Sequence, residues 1–426
     1  MPVEISIAST DHDGRVFLTW TPVQCTIRLI DGPGVGHTVS VVVRNAGSVG
    51  KVLFDLTRTH QGSPTLPLAL PGDGSPIRFW VAGEFGKPSK DFGDAVLEVV
   101  DAGTSAQLGS VPLMVRVRKD ADTLSDDERD RFLKAFGILN GQGTGRFSNF
   151  RDMHVLKTLR ESHNNWGFLA WHRSYLMDLE RELQGIDATV ALPYWRWDKP
   201  APKVLSLAFM GLPNASNRVQ FTPGHPFQQW KVTDQLGIVR QQQFSPSVNP
   251  PNLKTETATL AVGNGVFKDF GLPFTAPGGV AQGALERDPH GRAHTSFGSG
   301  GWIYNPAIAP QDPMFFLLHG NVDRLWAKWQ WFYKRTKDSD PDAFYHGPTV
   351  DPGHNIGDTM WPWNGIITPP RPDTAPGGTL AASALTSAPG PSPTVRSMLD
   401  YQAVNGGAHL GFDYDDVPFE APGANV

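Results

Sequence analysis

Cysteine is almost absent: Cys25 is the only one in 426 residues. An intramolecular disulfide is therefore impossible, and a metal site could draw at most one thiolate from the chain. No apolar stretch approaches the roughly 18 residues that a membrane-spanning helix needs, so no membrane partner is expected. Runs of Lys or Arg are missing too, and the formal charge is only −5. Neither nucleic acid nor an anionic membrane surface is an expected partner of such a chain. The N-terminus, MPVEISIASTDHDGRVFLTW, carries the acidic residues Glu4, Asp11 and Asp13 and no apolar core of the signal-peptide kind. A cytoplasmic location is the resulting expectation.

What the sequence has in plenty is aromatic side chains, 13 Trp and 24 Phe. Most belong to a core, where aromatics dominate buried area. The informative part is that they gather around histidines. The chain is too long for one typical small core, so two domains are expected.

Residues 1–118 read as β structure. VFLTW (16–20), CTIRLI (25–30), TVSVVVR (38–44), KVLFDL (51–56), IRFWVAG (77–83), AVLEVV (95–100) and VPLMVRV (111–117) recur between Gly, Pro, Asn and Asp turns. Short strands at that spacing predict an all-β sandwich or barrel. His12, His37 and His60 fall on or near its turns and read as surface residues. From about residue 119 the pattern changes. Ser125 and Glu128 form a capping box, and Phe132, Leu133, Phe136 and Leu139 follow at helical spacing. A mainly α domain over 119–426 is expected, with 369–393 (PPRPDTAPGGTLAASALTSAPGPSP) an irregular segment.

The chemistry lies in two groups of histidines. In DPHGRAH, His290 and His294 stand at i and i+4, where a helix puts both imidazoles on one face. Then comes DPMFFLLHGNVDRLW, with Asp312 suited to cap a helix, Pro313 to its first position, and His319 two turns in. In the first group, His154 has Met153, Leu156 and Leu159 as helical apolar neighbours. His163 lies in ESHNN, and His172 in FLAWHRSYLMDLERELQ, whose Leu176, Leu179 and Leu183 mark a buried face. A lone histidine on an apolar face is usually a satisfied core residue. Six of them in two trios, each ending in an aromatic-rich helix, argue against that reading. Neutral imidazole suits Cu, Zn, Fe and Ni. No carboxylate stands in HExxH or 2-His-1-carboxylate spacing, which counts against zinc proteases and mononuclear iron oxygenases.

The segments FLAWHRSYLMDLERELQ, DPMFFLLHGNVDRLWAKWQ and LGFDYD (410–415) resemble the first-copper motif, the second-copper motif and the closing aromatic-x-Tyr element of tyrosinases, catechol oxidases and molluscan haemocyanins. The resemblance covers about residues 120–416. It implies a tyrosinase-like domain built on a four-helix bundle, with two copper ions that bind dioxygen between them. By position it implies His154, His163 and His172 as ligands of one copper and His290, His294 and His319 as ligands of the other. It further implies oxidation of small o-diphenols to o-quinones. Glu286, four residues before His290, matches a family glutamate that orients a water and assists deprotonation of the phenol. Where efficient monophenol hydroxylases often carry Asn after that histidine, this chain has Gly291, so diphenol oxidation is expected ahead of hydroxylation.

Other departures from the family pattern are Leu318, which stands where relatives carry a paired histidine, and Ser162. Many relatives bond a cysteine to the middle histidine of the first copper. With Ser162 before His163 and Cys25 remote, no such thioether is expected. The rival readings are an o-aminophenol oxidase and a haemocyanin-like oxygen carrier.

Overall fold

The structure, a computed structural model, describes residues 1–8, 14–59, 61–155, 159–273, 284–348, 353–364 and 393–420. His12, His60, Leu156 and all of the 369–393 segment but Pro393 lie outside the described residues. The chain forms two compact units, Met1–Arg118 with Gln402–Val426, and Lys119–Tyr401.

The first unit is β-rich. Its strands are β1 (Val3–Ile7), β2 (Val16–Leu18), β3 (Val23–Leu29), β4 (Thr38–Asn45), β5 (Val52–Asp55), β6 (Thr65–Pro71), β7 (Ile77–Gly83), β8 (Ala95–Asp101) and β9 (Gln107–Val115). They form one sheet in the order β1-β3-β7-β5 and another in the order β2-β9-β8-β4-β6. The pairs are antiparallel except β2 with β9. Alternation sets which face is buried: Val39, Val41 and Val43 of β4 and Ala95, Leu97 and Val99 of β8 point inward, with polar residues between several of them. Those side chains share one core with Cys25, Ile27, Phe54, Phe79 and Val81 from the other sheet. The unit is therefore a sandwich of two open sheets, the first of the two expected architectures.

Strands β1 and β6 were not among the expected runs. In β6, TLPLALP, two prolines argue against a strand. Yet β6 is an edge, where a missing N–H costs no ladder bond.

The last residues correct the expected boundary of the helical domain, because from Gln402 onward the chain belongs to the β unit. Buried polar pairing holds it there. Asp413 accepts from the Thr21 N–H (3.1 Å), the Thr21 hydroxyl (3.2 Å) and Gln402 Nε2 (2.7 Å). The Trp20 indole N–H donates to Tyr414 O (2.8 Å). The Arg118 guanidinium lies 3.8 Å from the centre of the Phe412 ring. Cys25 is buried in the same unit, within β3.

The second unit contains α1 (Asp126–Asn140), α2 (Phe147–Met153), α3 (Leu159–Ser162), α4 (Phe168–Ile186), α5 (Glu256–Leu260), α6 (Phe267–Phe270), α7 (Arg292–Thr295) and α8 (Met314–Tyr333). The capping box forms as its residues dictate: Ser125 Oγ accepts the Glu128 N–H while the Glu128 carboxylate accepts the Ser125 N–H. Gly141 ends α1 at φ +52°, a left-handed cap. Helices α1 and α8 both pack on α4. Phe136, Phe147, Phe316 and Trp230 meet edge-on or tilted in the core, with centroids 4.8–5.7 Å apart. Among the described residues no helix is long and apolar enough to cross a membrane.

Candidate metal centre

The six histidines meet as two buried trios, His154 with His163 and His172, and His290 with His294 and His319. Helix α4 supplies His172 one turn in, and α8 supplies His319. Asp312 starts α8 by accepting the Met314 N–H (2.9 Å). A doubly hydrogen-bonded, fully buried Arg240 holds that carboxylate at 2.6 and 2.7 Å. Arg240 lies in a loop without periodicity, and nothing local in the sequence marks it. His290 lies in an irregular π-type turn, Glu286–Gly291, broken at Asp288 (φ −150°, ψ 104°), which leads into α7 with His294. His154 differs from expectation. It is not inside a helix but caps the end of α2 at φ −110°, ψ 66°. His163 directly follows α3.

Hydrogen bonds fix which ring nitrogen faces inward. A carbonyl can only accept, so His172 Nδ1–H donates to Phe168 O (2.8 Å), His290 Nδ1–H to Glu286 O (2.7 Å) and His294 Nδ1–H to Ile303 O (2.7 Å). His163 Nδ1 faces Glu286 Oε1 at 3.2 Å. This leaves the Nε2 lone pairs of His163, His290 and His294 directed at the Nε2 atoms of His154 and His319. Separations are 3.3 Å for His290–His319, 3.2 Å for His294–His319 and 2.9 Å for His154–His163. His172 Nε2 has no hydrogen-bond partner among the described residues. Imidazole nitrogens gathered in this way suit a cation held between them. Two nitrogens each about 2.0–2.1 Å from a metal, at a tetrahedral angle, stand about 3.3 Å apart. The second trio has that spacing, and an all-imidazole donor set suits copper.

Two phenylalanines line the centre. Phe168 lies 4.7–5.4 Å from the rings of His163, His172 and His290, and Phe315 lies 4.1 Å from His319 and 5.0 Å from His154. Phe315 stands four residues before His319, an i,i+4 aromatic signal that the sequence reading passed over. Glu286 is buried beside His163, while Gly291 has an ordinary helical backbone (φ −58°, ψ −33°).

Burial, reinforced by neighbouring imidazoles, holds His154, His172, His290 and His319 well below the usual histidine range, and burial lowers His294 to about 4. These rings are neutral when folded but take up protons on unfolding below pH 6.5. The stability these rings contribute to the metal-free protein is therefore full above pH 6.5 and declines as pH falls from 6.5 toward about 4. Urea midpoints across that window should fall steadily; a flat profile would contradict neutral buried rings.

Comparison with known proteins agrees with this centre. A sequence model of the common central domain of tyrosinase matches residues 144–332. The tyrosinase of Streptomyces antibioticus is 29% identical over 265 residues, covering 58% of this chain and 93% of its own. The tyrosinase of Streptomyces glaucescens is 30% identical over 266 residues, covering 58% and 92%. Unit D of the haemocyanin beta-C chain of Helix pomatia is 31% identical over 230 residues, covering 52% and 53%. With two trios of inward-facing imidazoles and two Streptomyces tyrosinases matched over more than nine-tenths of their length, the chain belongs to the tyrosinase family of two-copper oxidoreductases.

Proposed function

We propose that this protein oxidises o-diphenols to o-quinones with dioxygen, two diphenols being oxidised for each dioxygen reduced to two waters. His154, His163 and His172 would hold one copper and His290, His294 and His319 the other. The observation that carries the reading is the convergence of Nε2 atoms in both trios. Copper, when bound, supplies dioxygen binding and electron transfer. The chain supplies orientation through the Nδ1 hydrogen bonds, and a water-poor surround through Phe168 and Phe315. We read the helical unit as the expected four-helix framework, in which α4 and α8 each carry a ligand. Small phenols are the proposed substrates.

Oxygen uptake by copper-loaded protein with catechol, tyrosine and 2-aminophenol tests the reading. Sustained uptake with catechol above the other two is expected. Stoichiometric oxygen binding without turnover would favour the carrier reading that the haemocyanin relative keeps open, and a preference for 2-aminophenol would favour the aminophenol oxidase.

Gly291 is proposed to limit monophenol hydroxylation. An Asn side chain there would add one hydrogen bond to a water held for proton removal, worth about 0.5–1.5 kcal/mol. Realised in the transition state, that is roughly two- to ten-fold in rate. The helical backbone at 291 accepts Asn without strain. Gly291→Asn should therefore raise the ratio of initial rates on tyrosine and its catechol analogue, and an unchanged ratio would remove position 291 from proton transfer.

A further inference from the structure

His163 is the ligand position with least local support. It follows a helix of four residues, and Asn164 directly after it takes a left-handed backbone (φ +59°). Ser162 precedes it, and the chain's one cysteine is buried in the β unit, so no covalent tether holds the ring. What reaches it comes from more than a hundred residues away. Glu286 Oε1 stands 3.2 Å from His163 Nδ1 and accepts the Asn164 backbone N–H at 2.7 Å. The same residue's carbonyl accepts His290 Nδ1–H at 2.7 Å. Glu286 thus touches one imidazole of each trio, through its side chain on one and its backbone on the other. Asn165 closes the loop from below, donating from Nδ2 to Glu161 O (2.7 Å) and His163 O (3.0 Å).

We infer that Glu286 is a positioning residue that fixes the tautomer and direction of His163 and ties the first trio to the segment carrying the second. The reasoning is chemical. A carboxylate can only accept from His163 Nδ1, which places the ring proton there and leaves Nε2 as a lone pair aimed at His154 Nε2, 2.9 Å away. His172, His290 and His294 give their Nδ1 protons to backbone carbonyls, which no substitution of a side chain removes. His163 depends on a side chain, so this ligand can be loosened by mutation without touching a ligand. The role differs from preparing a water for the phenol, since its effect falls on metal retention rather than on proton transfer. It presupposes His163 as a metal ligand, as proposed above.

The test is copper retention in the full-length protein. Metal-free wild type, Glu286→Met, Glu286→Gln and His163→Ala are titrated with copper against a chelator, and folding is checked by circular dichroism. Met matches the length of Glu but offers no oxygen acceptor, whereas the Gln amide oxygen can still accept both N–H groups. Glu286→Met should bind one of its two coppers about 10- to 100-fold more weakly, the range expected when the partner of a ligating histidine is lost. Glu286→Gln should restore binding to within a few-fold of wild type. If the Met protein does not fold, Glu286→Ala takes its place and is read in the same way. Unchanged retention of both coppers in the acceptor-free protein would overturn the role, and so would Gln binding as weakly as Met. If His163→Ala itself keeps both coppers, the ligand assignment fails instead, which separates the two failures.

Discussion

Replacing His319 with Ala should leave one copper per chain in place of two and remove oxidase activity. His319 is fully buried in α8, and its Nε2 is the meeting point of its trio, 3.3 Å from His290 and 3.2 Å from His294. Its ring also stacks on His172 of the first trio, with centroids 4.2 Å apart and planes 13° apart. The substitution therefore removes a proposed ligand and a packing surface between the trios. Losing only the hydrogen-bond partner of a ligating histidine costs about 10- to 100-fold, so loss of the ligand itself should exceed that in turnover. Metal analysis and oxygen uptake are the measurements, and full activity with two coppers would refute the ligand assignment. The neighbouring Leu318 is buried too, and Leu318→Ala should lower stability without changing copper content.

Asp323→Ala should be the most damaging single change away from the histidines. Arg173 Nε donates to Asp323 Oδ1 at 2.6 Å, and both side chains are essentially inaccessible to water. Arg173 also donates to Gln330 Oε1 (3.0 Å) and Met398 O (2.7 Å) and lies 3.8 Å from the centre of the Trp326 ring. The pair has a purpose beyond charge balance. Arg173 directly follows His172 in α4, and Asp323 stands one turn beyond His319 in α8. The ion pair pins together the two helices whose histidines stack.

Removing one partner of a buried pair typically costs about 3–5 kcal/mol, because a charge stays behind without its counter-ion. For a unit of this size that is roughly 6–20 °C in melting temperature. Lower copper occupancy should accompany it. The double variant Arg173→Met/Asp323→Leu should recover much of the loss in melting temperature, since packed apolar residues often replace such a pair without cost. A stable, copper-loaded Asp323→Ala protein lacking only turnover would point to a direct part in catalysis.

Arg324, the next residue, behaves differently. It bonds Asn321 Oδ1 at 2.9 Å and pairs with Glu256, which also meets Arg196 and Lys328. That cluster anchors α5 to α8.

How much of this was legible beforehand depended on how local the cause was. The capping box at Ser125 and Glu128, the inward valines of β4 and the leucine face of α4 are set within a few residues, by periods of 2 and 3.6 and by the orphan N–H groups of a helix start. The histidines of α4 and α8, His172 and His319, stand out for the same reason, since their apolar, aromatic neighbours repeat at helical spacing. That local logic failed at His154, which ends a helix rather than lying within it, and at β6, whose prolines are harmless only on an edge. It also failed at Gln402 onward, where the distant side chains of Trp20 and Thr21 bond the C-terminal segment.

The sequence by itself therefore determined the residue types of the centre and the helices that carry His172 and His319. Only the tertiary structure decided which ring atoms converge and what holds them there. Glu286 meets His163 across 123 positions, Arg173 meets Asp323 across 150, and Arg240 meets Asp312 across 72. Periodicity is a property of a short window, whereas a buried charge finds its partner only when packing brings distant segments together and excludes the water that would otherwise solvate both.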